Sequence, residues 1–323
     1  MMATIRDIAR EAGVSVGTAS RAITGNGYVS DETKMLVLET AKKLHYSPKE
    51  KSKNMKSTHS VGVVLPDISF PFYGTFLKYV EVELARHGYK TVVCNALGVQ
   101  GRVSDMLDLL EKQELDGLIL NADVTKDEIS RMEKLPVVSF ERLLGNKLPM
   151  VSSDHRQGGQ LAAQELLNCG CKNVLLLMVK HGNRLFGDFR IQECQHILQK
   201  NGVRVTVAEL SGAVMSFKIM KEQISEYLKL YSQTDGVFTD DVMAYCCLAE
   251  TAAQGIRVPE QMRIVGYDGN EITQITSPQI TTVVQDVPQL TRCCVDLLLR
   301  RMAGERTVEE IMVPVDFKRG GTT

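Results

Sequence analysis

Hydrophobic and polar positions follow three successive regimes along the chain, and each regime predicts its own elements. From residue 4 to residue 44 the apolar positions recur at three- and four-residue spacing in three short stretches. Thr4 stands as a helix cap before the stripe Ile5, Ile8, Ala9 and Ala12, and Gly13 suits a left-handed helix end. Ser15 caps a second stretch that turns Ala19, Ala22 and Ile23 toward the first. Gly25-Asn26-Gly27 reads as a turn, and Val29-Ser30-Asp31-Glu32 opens a third helix through Leu36, Val37, Thr40, Ala41 and Leu44, its acids at the positive end. Residues 48–59 are polar, basic and without period. From Ser60 onward short apolar runs alternate with amphipathic segments. Runs at 61–65, 90–94, 117–120 and 137–139 predict buried parallel strands, with helices near 73–87, 103–113 and 126–133 between them. A second set repeats the pattern: strands at 174–177, near 203–209, at 236–238 and 264–266, helices near 157–168, 190–200, 217–230 and 241–254.

The predicted class is therefore α/β: a three-helix, helix-turn-helix headpiece followed by a core of two doubly wound parallel-sheet subdomains. Such a core binds ligands at the carboxyl ends of its strands. The expected divisions are a headpiece at 1–47, a linker at 48–59, and a core at 60–323. Within the core, one subdomain takes about 60–154 and 286–316 and the other about 155–285, the helix at 287–303 returning to the first.

Charge sharpens the reading of the first segment. Residues 1–60 hold ten Lys and Arg against six Asp and Glu, leaving 28 against 33 for the remainder. A basic segment on an acidic body points to a local polyanion partner. A single helix fits the DNA major groove, where residues near its N-terminus reach base edges. Ser15, Val16, Gly17 and Arg21 fall on that face of the second helix. Arg21 can donate two hydrogen bonds to a guanine, and Val16 can pack on a thymine methyl. Gly17 either lets the backbone approach closely or leaves its base unread. Thr4, Arg6, Thr18 and Ser20 suit phosphate oxygens, which fix position rather than sequence. A three-helix protein-interaction module accounts for the same helices without the charge.

The run 4–23 with its core Ala-Gly-Val-Ser-x-x-Thr-x-Ser-Arg (12–21), then Val29-Ser30, Thr33 and Leu44-His45-Tyr46-Ser47-Pro48, resembles the headpiece of the lactose-repressor (LacI/GalR) family of transcription regulators. The resemblance continues through Val61-Gly-Val-Val-Leu-Pro-Asp-Ile-Ser69, Asp154 with Gly158-Gly159, Asp241-x-Met-Ala244, Gly255-Ile-Arg-Val-Pro259, Val265-Gly-Tyr-Asp268 and Pro278-Gln-Ile-Thr-Thr282. It implies a periplasmic-binding-protein-like core, with chain crossings near 154, near 285 and close to the C-terminus. The wording at 89–95 and 151–154 is most similar to the sucrose-repressor branch. In this family 48–59 is a hinge helix that orders on the operator and wedges an apolar side chain into the minor groove. Met55 stands where the family usually has leucine, and Ser52, Lys53 and Asn54 replace Ala-Arg-Ser; a disordered tether is the other reading of this segment.

Sugar recognition needs aromatic faces for the C–H side of a ring and planar charged groups for its hydroxyls. The loop after the first strand supplies Asp67, Phe70, Phe72 and Tyr73. By motif match the resemblance implies that Arg190 and Asp268 bind the effector, with Asp241 nearby and Arg184 as an anion-binding residue. Phe140-Glu-Arg142 matches the family's Phe-Asp-Arg and brings in Arg142. Glu193-Cys194 replaces the usual Gly-Phe, which alters the packing of that helix.

Enzyme motifs are missing: there is no Gly-x-Gly-x-x-Gly after the first strand, no phosphate-binding loop and no Gly-x-Ser-x-Gly. His155 beside Asp154 is a pair in sequence only. Asp240-Asp241 begins a helix, where acids are favoured without a metal. The eight cysteines form no Cys-x-x-Cys, so reduced, buried thiols are expected, with no metal and no cofactor. No signal segment or membrane span is read, so the expectation is cytoplasmic. The sequence thus predicts a repressor of a carbohydrate-utilisation operon. It binds a palindromic double-stranded operator as a homodimer, preferred over a tetramer because no heptads follow Lys318, and a sugar or sugar phosphate releases it. A co-repressing effector and a sugar-binding protein without regulated DNA binding are the alternatives.

Overall fold

The computed structural model describes residues 5–24, 29–44, 57–179, 188–210 and 216–323, in two units, 1–56 and 57–323. In the first unit, α1 (Ile5–Glu11), α2 (Val16–Thr24) and α3 (Asp31–Lys43) close on a small core of Ile8, Ala9, Ala12, Ala19, Ala22, Val37 and Ala41. Five alanines in a seven-residue core let the helices approach closely. The α1–α2 turn depends on Gly13 at φ +65°, a conformation that strains residues with a Cβ. The Oγ of Ser15 accepts from the Thr18 N–H at 3.0 Å and Ser30 caps α3 in the same way. Leu36, expected in this core, is instead 49% exposed. Val37, Thr40 and Ala41, read on the same stripe, are buried.

The second unit holds two six-stranded sheets. The first has the order β11-β5-β4-β3-β1-β2, all parallel, from β1 (Ser60–Leu65), β2 (Lys90–Asn95), β3 (Gly117–Leu120), β4 (Val137–Phe140), β5 (Met150–Ser153) and β11 (Glu310–Val313). Val61 sits between Thr91 on β2 and Gly117 on β3. The second has the order β12-β10-β9-β8-β6-β7, from β6 (Asn173–Val179), β7 (Arg204–Leu210), β8 (Gly236–Phe238), β9 (Arg263–Asp268), β10 (Thr281–Gln285) and β12 (Val315–Lys318). Its β12 runs antiparallel to β10, so this sheet is mixed rather than wholly parallel.

Both sheets are covered on both faces, as parallel strands require. On the first, α4 (Pro71–Arg86) and α12 (Val287–Met302) bury Phe76, Val80, Leu290 and Leu298, while α5 (Arg102–Glu111) and α6 (Lys126–Met132) bury Leu107, Leu110 and Met132 on the other side. On the second, α7 (His155–Asn168) and α8 (Asp188–Lys200) lie opposite α9 (Phe217–Leu230) and α10 (Asp241–Ala253). Cys194 is fully buried among Ala162, Ala163 and Leu198, so the helix that departs from the family's wording still packs as a core helix. A short α11 (Ile272–Ile275) follows β9.

The chain passes between the sheets at Asp154, Asp286 and Pro314. The last crossing comes before β12, whereas the sequence placed residues up to about 316 with the first half. These crossings are tied to each other. The Asp154 N–H donates to the Val313 carbonyl at 2.8 Å, the Val315 N–H to Gln157 Oε1 at 2.9 Å, and Ser153 Oγ to Gln285 Oε1 at 2.5 Å.

Candidate effector cleft and nucleic-acid interface

On the headpiece, Ser15, Val16, Gly17 and Arg21 share the exposed side of α2, with Val16 45% exposed despite being apolar. Thr18 and Ser20 are half-buried beside them. Ser15 and Thr18 share a hydroxyl–hydroxyl bond of 2.9 Å, and Arg21 Nε donates to the Gly17 carbonyl at 3.2 Å, so the side chain lies back along its own helix. Thr4 and Met55 lie outside the described residues, as does the side chain of Arg6.

In the core the carboxyl ends of the strands face one another across the crossings, and they gather a charged cluster. Arg190, in the first turn of α8, lays its guanidinium 4.2 Å over the Tyr267 ring and holds Nη1 3.8 Å from Asp268 Oδ1. Asp268 ends β9 with φ +114°. Its Oδ1 accepts from Gln285 Nε2 at 2.9 Å and its Oδ2 from Asn270 Nδ2 at 3.4 Å. Burial pushes its carboxyl up to about 7; Arg190 opposes the shift, while Asp240 and Glu141 add to it. Asp240 caps α10 through an Oδ1 that accepts from the Met243 N–H at 2.9 Å, and burial raises its carboxyl too, with Arg190 pulling it down. Tyr73 faces the same space, its phenol pushed up to about 12 chiefly by burial.

Several sequence-derived assignments change here. Asp241 is fully buried, its Oδ1 accepting from Thr282 Oγ1 and its Oδ2 from the Asn270 N–H, each at 2.6 Å. It pins β10 and the loop after β9 to α10, and Asp240 is the carboxylate that faces Arg190. Phe72 is a core residue, stacked 6.0 Å from Phe140. Asp67 turns its Oδ1 to the Ser69 N–H at 2.9 Å, closing a local turn. Phe70 leans on the second half instead, 6.1 Å from the Phe217 ring. Arg142 is buried and bound to Asn121 at 2.7 Å and Asp123 at 2.6 Å, on the wall of a cavity of about 450 Å³ within the first half. Arg184 lies outside the described residues.

A second cluster, unread in sequence, joins the halves beside this site. Glu141, at φ +59°, accepts from Ser152 Oγ at 2.9 Å and from the Ser153 N–H at 3.0 Å, and it meets His155 Nε2. The other ring nitrogen of His155 lies 2.7 Å from the Tyr267 hydroxyl. Tyr267 thus carries Arg190 on its face and His155 at its tip. The carboxylate of the first half is linked in this way to the arginine of the second.

Comparison with known proteins gives this geometry its relatives. Residues 4–49 match the profile of bacterial regulatory proteins of the lacI family, and residues 163–323 match the periplasmic binding protein-like domain. The chain is 32% identical to the sucrose operon repressor of Pediococcus pentosaceus over 327 residues, covering 100% of both chains. It is 30% identical to the sucrose operon repressor of Streptococcus mutans over 323 residues, covering 99% of both. The chain belongs to the lacI family of bacterial regulatory proteins. Among solved structures, a transcriptional regulator, CelR, in complex with cellobiose superposes with a TM-score of 0.71 at 25% identity, over 99% of this chain and 100% of that one. As a lacI-family member the protein is a transcriptional regulator and not an enzyme.

Within this lacI-family core, Asp240 and Gln285 are the cluster residues that sequence reasoning missed. Both lie at the carboxyl edge of the second sheet, Asp240 as the cap of α10 just after β8 and Gln285 as the last residue of β10, where an open α/β sheet places its ligand. That rule was the available signal. Replacing Asp241 by Asn is expected to set an amide N–H against the Asn270 N–H or deny Thr282 its acceptor. It should lower stability by about 1–3 kcal/mol, read as an earlier urea midpoint for the core.

Proposed function

We propose that this regulator represses a carbohydrate-utilisation operon in the cytoplasm. Two copies read a pseudopalindromic operator, and a sugar seated among Tyr73, Arg190, Asp240 and Asp268 releases them. The observation that carries the reading is that cluster: an arginine, two carboxylates and a tyrosine converge between two halves joined by three crossings, in a chain that also holds a helix-turn-helix unit. The names of the two sucrose operon repressors and the cellobiose held by the superposed regulator support a sugar as the ligand class.

Release follows from differential affinity. A ligand contacting both halves favours one closure angle, and it shifts the operator-competent population only by the difference in its affinity for the two states. The chain Glu141–His155–Tyr267–Arg190 spans the crossings and so links the angle to the site. Pairing of two copies is supported by apolar side chains exposed on both halves, among them Val82, Val93 and Val99 on the first and Phe217, Tyr245 and Ile275 on the second. A two-fold dimer matches operator half-sites about one helical turn or a multiple apart.

Fluorescence anisotropy with promoter-region DNA, at fixed salt and with a sugar panel, tests the reading. Sequence-selective binding weakened by one sugar supports it. Binding strengthened by a sugar would make the ligand a co-repressor, and equal binding to random duplex would end the repressor reading. Arg21→Ala should weaken operator binding by about 1–3 kcal/mol and relax the preference at one base pair in each half-site.

A further inference from the structure

The core begins at Ser57, directly after the linker, and one side chain of the first half holds the three residues that open it. Asp116, the residue before β3, gathers four donors from them. Its Oδ2 accepts from Ser57 Oγ at 2.6 Å and from the His59 N–H at 2.9 Å. Its Oδ1 accepts from the Thr58 N–H at 3.0 Å and from Thr58 Oγ1 at 3.1 Å. The turn so formed sets His59 at φ +49°, a left-handed conformation that disfavours a residue with a Cβ. Backbone bonds close the same knot: the Lys90 N–H donates to the His59 carbonyl at 2.7 Å and the Asp116 N–H to the Ser60 carbonyl at 2.8 Å. Burial opposes the charge on Asp116, yet these donors hold its carboxyl below the ordinary carboxylate range.

The second half repeats the device on a segment that arrives from α7. Asp235 stands in the equivalent place, before β8, and its carboxylate accepts from the Lys172 N–H at 2.8 and 3.0 Å and from the Asn173 N–H at 2.8 Å. There the clamp joins two elements of one half. In the first half the clamped segment is the one that the linker enters. Ser57–His59 and Asp116 lie at the amino ends of β1 and β3, the edge of the first sheet opposite the cleft.

We propose, resting on the reading that a sugar changes operator affinity through the angle between the halves, that Asp116 is a positioning residue for the linker. It makes residues 57–59 part of the rigid first half, so a displacement of that half reaches the start of the linker undiminished. Three released residues would give that point up to about 10 Å of slack. Rigid-body and helix shifts of about 1–5 Å would be absorbed within it. Operator binding itself persists without the clamp, because the residues that read DNA are untouched. The response to the sugar is what is lost.

Asp116→Asn breaks the clamp with little change of shape: an amide nitrogen cannot accept, so either the Thr58 or the His59 N–H loses its partner. Asp235→Asn is the matched control. Operator affinity of the full chain is read by fluorescence anisotropy on promoter-region DNA at fixed salt. It is measured alone and with ribose, cellobiose, sucrose, glucose, fructose or the 6-phosphates of the last three. Isothermal titration without DNA reads the affinity for the same compounds. One of them is expected to change the operator affinity of the unaltered chain by about tenfold or more. In Asp116→Asn, checked for folding by its thermal melt, that factor should fall to about threefold or less while the calorimetric affinity stays the same. Asp235→Asn should keep the full factor. Ser57→Ala with Thr58→Ala, which removes both hydroxyl donors, replaces Asp116→Asn if that variant does not fold. A folded variant that keeps the full factor overturns the proposal and leaves the sugar-effector reading standing. An equal loss in Asp235→Asn, or a loss of calorimetric affinity in Asp116→Asn, overturns it as well, because a general loosening of the core would then be the cause. An unaltered chain whose operator affinity none of these compounds changes removes the sugar-effector reading and the proposal with it.

Discussion

Asp268→Asn is expected to weaken sugar binding by about tenfold to a hundredfold and, in the same protein, to raise the melting temperature at neutral pH. The first effect follows from hydrogen bonds to a charged acceptor, worth about 1.5–3 kcal/mol each, and from the loss of the charge that faces Arg190 at 3.8 Å. The second follows from linkage. The folded carboxyl titrates near 7, far above its value in an unfolded chain. Between roughly pH 4 and pH 7 the folded state therefore holds a proton that the unfolded state has lost. Stability falls as pH rises through that window, and at pH 7.5 Asp268 is a net burden on the fold. Asparagine removes the burden, keeps an Oδ1 to accept from Gln285, and tolerates the left-handed backbone at this position. Melting curves at pH 5 and pH 7.5 check the sign. The variant should gain more at pH 7.5 than at pH 5, and a loss at both would show that the Asp268 charge supports the fold instead of straining it. A gain in stability paired with a loss of ligand is what a group retained for binding produces.

Periodicity made most of the architecture legible. Every helix longer than four residues was placed within two or three residues of its observed ends, and so were eight of the twelve strands. The strands not read are β5, β10, β11 and β12, all of them four or five residues long and carrying the chain into or out of a crossing. Thr281 and Thr282 on β10 are buried polar residues satisfied by Thr322, Thr323 and Asp241. Binary patterning reads such a strand as a loop. The site was legible down to the right strand end but not to the right side chain. At the start of α10 the two adjacent acids differ only in phase: the capping residue stays at the sheet edge in the cleft, while the next one turns inward to Thr282. Phe72 and Tyr73 differ in the same manner on α4. The Glu141–His155–Tyr267 cluster joins the residue after β4, the first residue of α7 and a residue of β9 from two halves, and no local pattern contains it.

Gly159→Ala should destabilise the core by about 3 kcal/mol, near the top of the usual range for overpacking, and should abolish the sugar response with it. A methyl on Gly159 would stand 2.3 Å from the Arg190 carbonyl oxygen and 3.1 Å from the Arg190 Cα. These are backbone atoms of α8, so no rotamer change relieves the contact, and the helix itself must retreat by roughly 1 Å to reach ordinary van der Waals distance. The opposite flank of α7 is equally closed, since a methyl on Gly158 would meet the Tyr267 ring at 2.5 Å. The helix therefore cannot relax by rolling toward its other neighbour. Displacing α8 carries Arg190 off the Tyr267 face and away from Asp268, and a binding constellation has to be held within about 0.5 Å to work. Urea denaturation gives the stability change, and calorimetric titration with the sugar that binds the unaltered protein gives the loss of affinity. Because the two effects share one cause, they should appear together. A variant that loses stability but keeps its affinity would show that α8 moves without Arg190, and the arginine would then be positioned by Tyr267 and not by the close approach of α7 and α8.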